Sequence, residues 1–155
     1  MEKDLINIQK ESVHKVLAHS YSIYFLFFLI GICFDLVFGL NVLSDPSFAF
    51  VGVLFLIFGS LLILWAQRTS RNLKVESVTV ETFRRGPYRY TRTPTNFGLF
   101  FLMLGFGMAA NTFFVLVFSL VSFVVAKLIF LERQEKILEQ KYGAPYLEYK
   151  KLVWF

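Results

Sequence analysis

Four apolar runs divide the chain, and polar segments lie before, between and after them. The runs lie near Tyr21 to Leu43, Phe48 to Trp65, Phe97 to Ala110 and Thr112 to Phe130. Because a helix of about 20 residues crosses the roughly 30 Å hydrocarbon core of a membrane, each run predicts a spanning helix. The third run is short, so the alternatives there are a tilt, insertion from one side, or an extension by Pro94 to Asn96. We therefore predict an all-α integral membrane protein.

Short polar turns join the four runs in pairs. Ser44-Asp45-Pro46 separates the first two runs and Asn111 separates the last two, so we predict two helical hairpins. An apolar stripe before the first run predicts an amphipathic helix on the membrane surface. The predicted parts of this single domain are the surface helix at 1–19, a hairpin at 20–66, a loop at 67–95, a second hairpin at 96–130 and tail helices at 131–155.

Composition and charge support the membrane interpretation and add an orientation. The chain is 56% hydrophobic and 19% aromatic, and its mean hydropathy is +0.59. All 16 Lys and Arg residues lie before the first run, between the second and third, or from Lys127 onward. The positive-inside rule therefore predicts a cytoplasmic N-terminus, central loop and C-terminus, in the plasma membrane if the chain is prokaryotic. The same basic segments favour anionic lipid headgroups, whereas their spread without a binding motif argues against nucleic acid.

Few residues within or before the first run offer chemistry. Cys33 is the single cysteine, and His14 and His19 are five residues apart, so we predict no metal site. Residues 1–19 mix acidic and basic side chains and have no apolar core before a cleavage site, so we do not predict a cleaved signal peptide there. Asp35 is an ionisable group inside a span, for which a place near a water-filled cleft or a polar contact within the helix bundle is favoured over catalysis.

The central loop contains the stretch GPYRYTRTPTNFG at residues 86–98. An extended piece is plausible at Val75 to Phe83, Gly86-Pro87 predicts a turn, and Pro94 suits the first turn of a helix. The free N–H groups at such a helix start favour an anionic ligand group such as a carboxylate. The alternative is that Arg89 and Arg92 anchor the helix to lipid phosphates.

The tail continues the fourth run into a charged helix that we expect to end at Tyr142-Gly143. A second short helix is predicted from Ala144 onward. Glu132 and Glu135 are three residues apart and would share one face of the first tail helix.

Together, the loop and the tail resemble the isoprenylcysteine carboxyl methyltransferase family and its bacterial relatives, which belong with the phospholipid N-methyltransferases. That family typically has GPYRYxRHPxYxG, an apolar hairpin, a pair of glutamates, and then FGxxYxxY with a valine soon after. The corresponding parts here are GPYRYTRTPTNFG and, in the tail, Leu138, Tyr142-Gly143, Tyr146, Tyr149 and Val153. The similarity runs from about Arg68 to Val153.

The resemblance implies an integral membrane methyltransferase that uses S-adenosylmethionine and acts on a lipophilic acceptor. An isoprenylcysteine-type carboxylate, a phospholipid amine, and a small thiol or acid are the acceptor types; an amine would need a base, for which Glu132 or Glu135 would serve. The implied catalytic or positioning residues are Arg89, Arg92 and Glu135, with Glu132 as a further candidate. The implied cofactor-binding residues are Val80, Glu81, Thr82, Phe83, Tyr88, Thr93, Pro94, Thr95, Asn96, Gln134 and Glu135.

Three positions depart from the family pattern. Thr93 stands where the family has histidine, Asn96 where it has tyrosine, and Gln134 where it has the first paired glutamate. These changes leave a second hypothesis open, namely a non-catalytic membrane protein that keeps the fold with a degenerate cofactor site. A reductase relative with a nicotinamide cofactor is a weaker third, because no diphosphate-binding glycine motif is present.

Overall fold

A computed structural model describes residues 21–40, 45–71 and 79–153 of the chain. Every element in these ranges is helical, and no strand occurs among them. A 3-10 turn covers Gly86–Arg89, and a π-helical turn at Lys127–Leu131 joins α5 to α6. The helices are α1 (Tyr21–Phe38), α2 (Pro46–Arg71), α3 (Val80–Phe83), α4 (Pro94–Ala109), α5 (Phe113–Ala126), α6 (Glu132–Tyr142) and α7 (Ala144–Leu152).

Among the described residues, three helical stretches are long and apolar enough to cross a membrane. They are Tyr21–Phe38, Pro46–Ser70, and Phe113–Gln140, which runs from α5 into α6. Helix α4 has 16 residues, or about 24 Å at 1.5 Å per residue, and is the shorter apolar helix of the bundle. It begins at Pro94, as the extension alternative expects. The chain is therefore an all-α, multi-pass membrane protein, as the sequence predicts.

Glycines allow α2 and α4 to pack closely as antiparallel neighbours. A Cβ added at Gly59 would lie 2.7 Å from the Gly98 carbonyl oxygen, and one at Gly105 would lie 2.7 Å from the Gly52 carbonyl oxygen. Both pairs therefore bring backbone against backbone, seven residues apart on each helix. Small residues serve this purpose in membranes, where helix association depends on close van der Waals packing.

Helix α1 packs against α4 and α5, and Asp35 fastens it to the start of α5. Its two carboxylate oxygens accept hydrogen bonds from the backbone N–H groups of Phe114 at 3.0 Å and Val115 at 3.1 Å. An N-cap side chain normally plays this role from within the same helix. The contact is the predicted polar contact within the bundle, and its carboxylate complements the positive end of the α5 dipole.

Two predicted boundaries of the spans are wrong. Helix α1 ends at Phe38 rather than Leu43, because Gly39 has a φ of +58° and its N–H bonds to the Asp35 carbonyl at 2.8 Å. A left-handed glycine is a common helix end. Helix α2 continues to Arg71, six residues beyond the predicted end at Trp65.

The prediction of an extended segment at Val75 to Phe83 is also wrong for the residues that the structure describes. Residues 80–83 form a single helical turn, closed by a bond of 3.3 Å from the Arg84 N–H to the Val80 carbonyl. Residues 75–78 lie outside the described ranges. So does the predicted surface helix at 1–19, with His14 and His19.

The helix directions gather the polar segments at one end of the bundle, which we call the loop end. The start of α1, the end of α2, the start of α4 and the end of α5 meet there, because Tyr24 contacts Asn96 and Gly86 approaches Thr69. The opposite end holds the short α4–α5 turn, where Asn111 has a φ of +53°. This turn confirms the second predicted hairpin.

Candidate active site at the loop end of the bundle

The 3-10 turn at Gly86–Arg89 is docked on the last turns of α2. Gly86 has a φ of +58°, and a Cβ there would lie 2.5 Å from the Thr69 Oγ1 and 3.2 Å from the Trp65 Nε1. Only glycine meets both demands. Pro87 is buried, and its carbonyl accepts the Tyr90 N–H at 3.1 Å, which closes the turn. The predicted turn is thus present and rigidly seated.

Tyr88 ties the loop to three different parts of the chain. Its phenol shares hydrogen bonds with the side chains of Ser70 on α2 and Thr95 on α4, and its burial raises the pKa of the phenol. Its carbonyl accepts the Tyr149 hydroxyl of α7 at 2.7 Å. Tyr88 therefore fixes the loop between two membrane helices and the tail.

The residues Thr93 to Asn96 form the start of α4. Thr93 precedes the helix with φ −129° and ψ 57°, and Pro94 occupies the first helical position. Asn96 is buried, and its carbonyl accepts the Tyr24 hydroxyl at 3.3 Å. The four predicted positions therefore form one polar helix start, to which the Tyr24 hydroxyl of α1 is hydrogen-bonded.

An ion cluster joins the loop to the tail, and it consists of Arg92, Glu135, Glu139 and Lys150. Arg92 Nη1 bonds to Glu135 Oε1, and the side chains are only 15% and 11% exposed. Lys150 Nζ lies 2.6 Å from Glu135 Oε2 and 2.8 Å from Glu139 Oε1. The bonds to Glu135 and then Glu139 raise the pKa of Lys150. Each oxygen of the Glu135 carboxylate is thus engaged by a cation.

Aromatic side chains pack beside the ion cluster and hold α3 against the tail. The Phe83 ring centroid lies 5.1 Å from that of Tyr142 and 5.5 Å from those of Tyr146 and Tyr149. Burial, followed by the charge of Glu135, raises the pKa of Tyr146 to about 12. The α3 turn is therefore closed onto α6 and α7.

Most of the predicted site residues converge on this region. The residues that lie in the ion cluster, in the docked loop or directly beside them are Arg92, Tyr88, Thr93, Pro94, Thr95, Asn96, Gln134 and Glu135. Arg89 and Glu81 are exposed, and among the described residues no hydrogen bond or ion pair joins Arg89 to the ion cluster. The side chains of Thr82 and Glu132 lie outside what the structure describes.

Three residues of the site were not among the site residues predicted from the sequence. Tyr146, Tyr149 and Lys150 are on α7, and each contacts or approaches a predicted site residue. The tyrosines were visible as family landmarks, but the sequence did not indicate what they touch. For Lys150 no signal in the sequence distinguishes it from Lys151, its exposed neighbour.

Comparison with protein-family models supplies the deciding observation. Residues 47–145 match the model for phospholipid methyltransferases. The chain belongs to the phospholipid methyltransferase family. The matched range covers α2 to the start of α7, and so includes the 86–98 loop, Gln134 and Glu135. No curated protein and no solved structure matches the chain.

Membership of the phospholipid methyltransferase family agrees with the resemblance in the sequence. It indicates a membrane methyltransferase that acts on lipid-like substrates. In this chain the family's loop and tail segments meet at the loop end, where Arg92 contacts Glu135. The α7 residues Tyr146, Tyr149 and Lys150 lie beyond the matched range and extend the site.

Proposed function

We propose that this protein is an S-adenosylmethionine-dependent methyltransferase that methylates a lipophilic acceptor at the loop end of the bundle. The observation that carries the proposal is the ion pair between Arg92 and Glu135. It brings the GPYRYTRTPTNFG loop against the helix that follows the second hairpin, which are the two segments the family resemblance assigns to the cofactor. The loop, the start of α4 and α6 thereby form one polar region beside lipid.

One feature of the site fits the cofactor, namely an open hydrogen-bond donor on Arg92. The Nε of Arg92 is buried and has no hydrogen-bond partner among the described residues. A buried unpaired donor costs roughly 1–3 kcal/mol, so an acceptor group of a ligand would relieve it. The carboxylate of S-adenosylmethionine is such a group, and the amide oxygen of Gln134, which precedes Glu135 on α6, is a candidate acceptor for the ammonium.

When bound, the cofactor supplies an electrophilic methyl group on a sulfonium. The protein's own contribution is to hold the reactants in line and to exclude water. Tyr88, Tyr149 and the Phe83 ring serve this purpose, because they fasten the loop, α3 and α7 together. The half-buried Thr93 and Thr95 provide hydroxyl groups at the start of α4.

The ion pairs of Glu135 bear on the type of acceptor. A carboxylate or thiolate needs no base, whereas an amine must lose a proton before it attacks. Both Glu135 oxygens already accept a cation, so a proton transfer to Glu135 would disrupt an ion pair. Glu135 is therefore a poor base for a phospholipid amine, whereas an isoprenylcysteine-type carboxylate or a small thiol or acid needs none. Glu132, the other candidate base, has a side chain outside what the structure describes.

We also infer that the loop end faces the cytoplasm. Its described basic residues include the exposed Arg68, Arg84, Arg85 and Arg89, whereas the α4–α5 turn has no basic residue. The positive-inside rule assigns such an end to the cytoplasmic side, with both termini there.

Calorimetry on detergent-purified protein tests the proposed cofactor. We expect S-adenosylhomocysteine, the unreactive product form, to bind the wild type, and Arg92→Ala to weaken that binding at least tenfold because it removes the open donor. Glu135→Gln should also weaken binding, since it releases Arg92 from its position. Lys136→Ala, which changes an exposed residue of the same helix, is the matched control. No binding by folded wild type at near-millimolar ligand would sink the proposal.

A non-catalytic protein with this fold is the second candidate, and the structure contains one observation in its favour. The family's histidine and tyrosine positions are Thr93 and Asn96, and Asn96 is buried, with its backbone carbonyl hydrogen-bonded to Tyr24. This candidate predicts that Arg89→Ala and Glu135→Ala leave the biological role intact. Transfer of a tritiated methyl group from the cofactor into membrane lipids or lipidated protein would contradict it.

A further inference from the structure

Arg92 makes fewer bonds to its partner than its chemistry allows. A guanidinium has five donors in a planar fork, and it frequently pairs with both oxygens of a carboxylate at once. Here only Nη1 contacts Glu135, through Oε1. The Nε is left buried without a partner among the described residues, although a second carboxylate oxygen belongs to the same side chain.

The second oxygen of Glu135 is taken by Lys150. Its Nζ lies 2.6 Å from Glu135 Oε2, and Glu139 Oε1, 2.8 Å away, holds the ammonium from the other side. Lys150 is itself anchored, because the adjacent Tyr149 donates its hydroxyl to the Tyr88 carbonyl at 2.7 Å. With Oε2 paired to Lys150, only Oε1 of Glu135 is bonded to Arg92.

We propose that Lys150 is a positioning residue, which divides the Glu135 carboxylate so that Arg92 keeps a buried donor open for an oxyanion of the ligand. This inference rests on the proposed function, in which the oxyanion is the carboxylate of the methyl donor. A phosphate oxygen of a lipid has the same chemistry and is the competing source. Lys150 lies outside residues 47–145, so the family comparison does not assign it a role.

Two ligands that differ in one group test the inference directly. S-adenosylhomocysteine has the carboxylate, and its decarboxylated analogue lacks it. We expect the wild type to bind the complete ligand about tenfold more tightly, because a hydrogen bond to a charged group is worth more than a neutral one. An equal affinity for the two ligands would show that Arg92 does not receive this carboxylate, and competition by a short-chain phospholipid would then identify the lipid phosphate instead; either result overturns the inference.

Variants at Lys150 provide the second arm. Lys150→Met keeps the apolar stem and removes the charge, so Glu135 is free to close on Arg92 with both oxygens. We expect this variant to lose the tenfold preference for the carboxylate-bearing ligand, whereas Lys150→Arg keeps most of it because a cation still holds Oε2. Lys151→Met is the matched control, since Lys151 is the exposed neighbour on the same helix.

A measurement without ligand separates positioning from simple stabilisation. Double-mutant cycles on thermal unfolding, with Arg92→Ala and Glu135→Ala, give the coupling energy of that pair. We expect the coupling to be larger in the Lys150→Met background than in the wild-type background, because the pair becomes bidentate. Unchanged coupling together with unchanged ligand preference would overturn the role of Lys150 alone. Failure of the wild type to bind either ligand would instead overturn the proposed function.

Discussion

Two residues at the loop end, Tyr88 and Glu135, each bond to more than one partner through different atoms. The phenol of Tyr88 faces Ser70 and Thr95, while its carbonyl receives Tyr149. Glu135 likewise gives one oxygen to Arg92 and the other to Lys150. Removal of one partner from a buried ion pair typically costs about 3–5 kcal/mol, because a charge is left without compensation. Replacement of either side chain is therefore expected to destabilise the protein.

The residue-scale prediction concerns Tyr146 at high pH. Burial raises its pKa from 10.0 to about 12 in the folded state. The pKa of Tyr146 is higher in the folded state than in the unfolded state. The protonated phenol therefore makes its full contribution to the free energy of unfolding below pH 10, and this contribution is lost as the pH rises toward 12. The neighbouring charges are Glu135 and Glu139, which add to the shift, and Arg92 and Lys150, which oppose it.

We therefore expect the thermal midpoint of the wild type to fall over this alkaline range, and to fall less in Tyr146→Phe. Tyrosinate absorbance recorded alongside the unfolding curves checks that the phenol titrates late in the folded protein. Tyr90→Phe, which removes a phenol that is 74% exposed, is the control. Identical curves for wild type and Tyr146→Phe would contradict the prediction.

Helices in this fold are held to one another by close backbone contact and by one charged cap. The α2–α4 pair depends on glycines, and α1 is joined to α5 by the carboxylate of Asp35. The π-helical turn at Lys127–Leu131 then marks the point where the last span becomes the charged helix α6. Such turns are frequent at functional sites, and this one directly precedes the helix that presents Glu135.

The element-scale prediction is that Gly59→Ala destabilises the bundle. The new Cβ would lie 2.7 Å from the Gly98 carbonyl oxygen and 2.9 Å from the Leu102 N, and neither backbone atom can move independently of α4. We expect the free energy of unfolding to fall by about 1–3 kcal/mol, as in other overpacked interiors. Unfolding in detergent micelles measures the loss, with the exposed Ser60→Ala as control. A stability equal to that of Ser60→Ala would show that the helices are not in this close contact.

The elements themselves were largely predictable from the sequence, because each depends on local signals. Apolar length predicted the spans, Gly86-Pro87 the turn, and Tyr142-Gly143 the end of α6. The end of α1 was misplaced because the residues after Gly39 are still apolar, and hydropathy does not report a left-handed backbone. The role of Lys150 was out of reach for another reason. Its partner Glu135 is fifteen positions away, and only the fold of α7 brings them together.

The whole molecule is strongly polarised between its two ends. At the loop end lie the ion cluster, the aromatic cluster of Phe83 with three tyrosines, and the exposed arginines. The opposite end has a shallow cavity bordered by Asp35 and Asn111, and no basic residue occurs in the α4–α5 turn. A lipophilic acceptor that enters from the bilayer would therefore meet the basic residues and the open Arg92 Nε donor at the loop end. This asymmetry depends on α1, α2, α4 and α5 alternating in direction.

The topology that follows from this asymmetry can be tested with single cysteines. Cys33 is exposed, so Cys33→Ser first removes its reactivity. In that background, Arg84→Cys reports the loop end and Ala110→Cys the α4–α5 turn, and both parent side chains are exposed. Because the positive-inside rule assigns the basic loop end to the cytoplasm, we expect a membrane-impermeant maleimide to label Arg84→Cys only in inside-out vesicles and Ala110→Cys only in right-side-out vesicles. The reverse pattern would contradict the orientation, and labelling of both positions from one side would mean that α4 does not separate the two faces of the membrane.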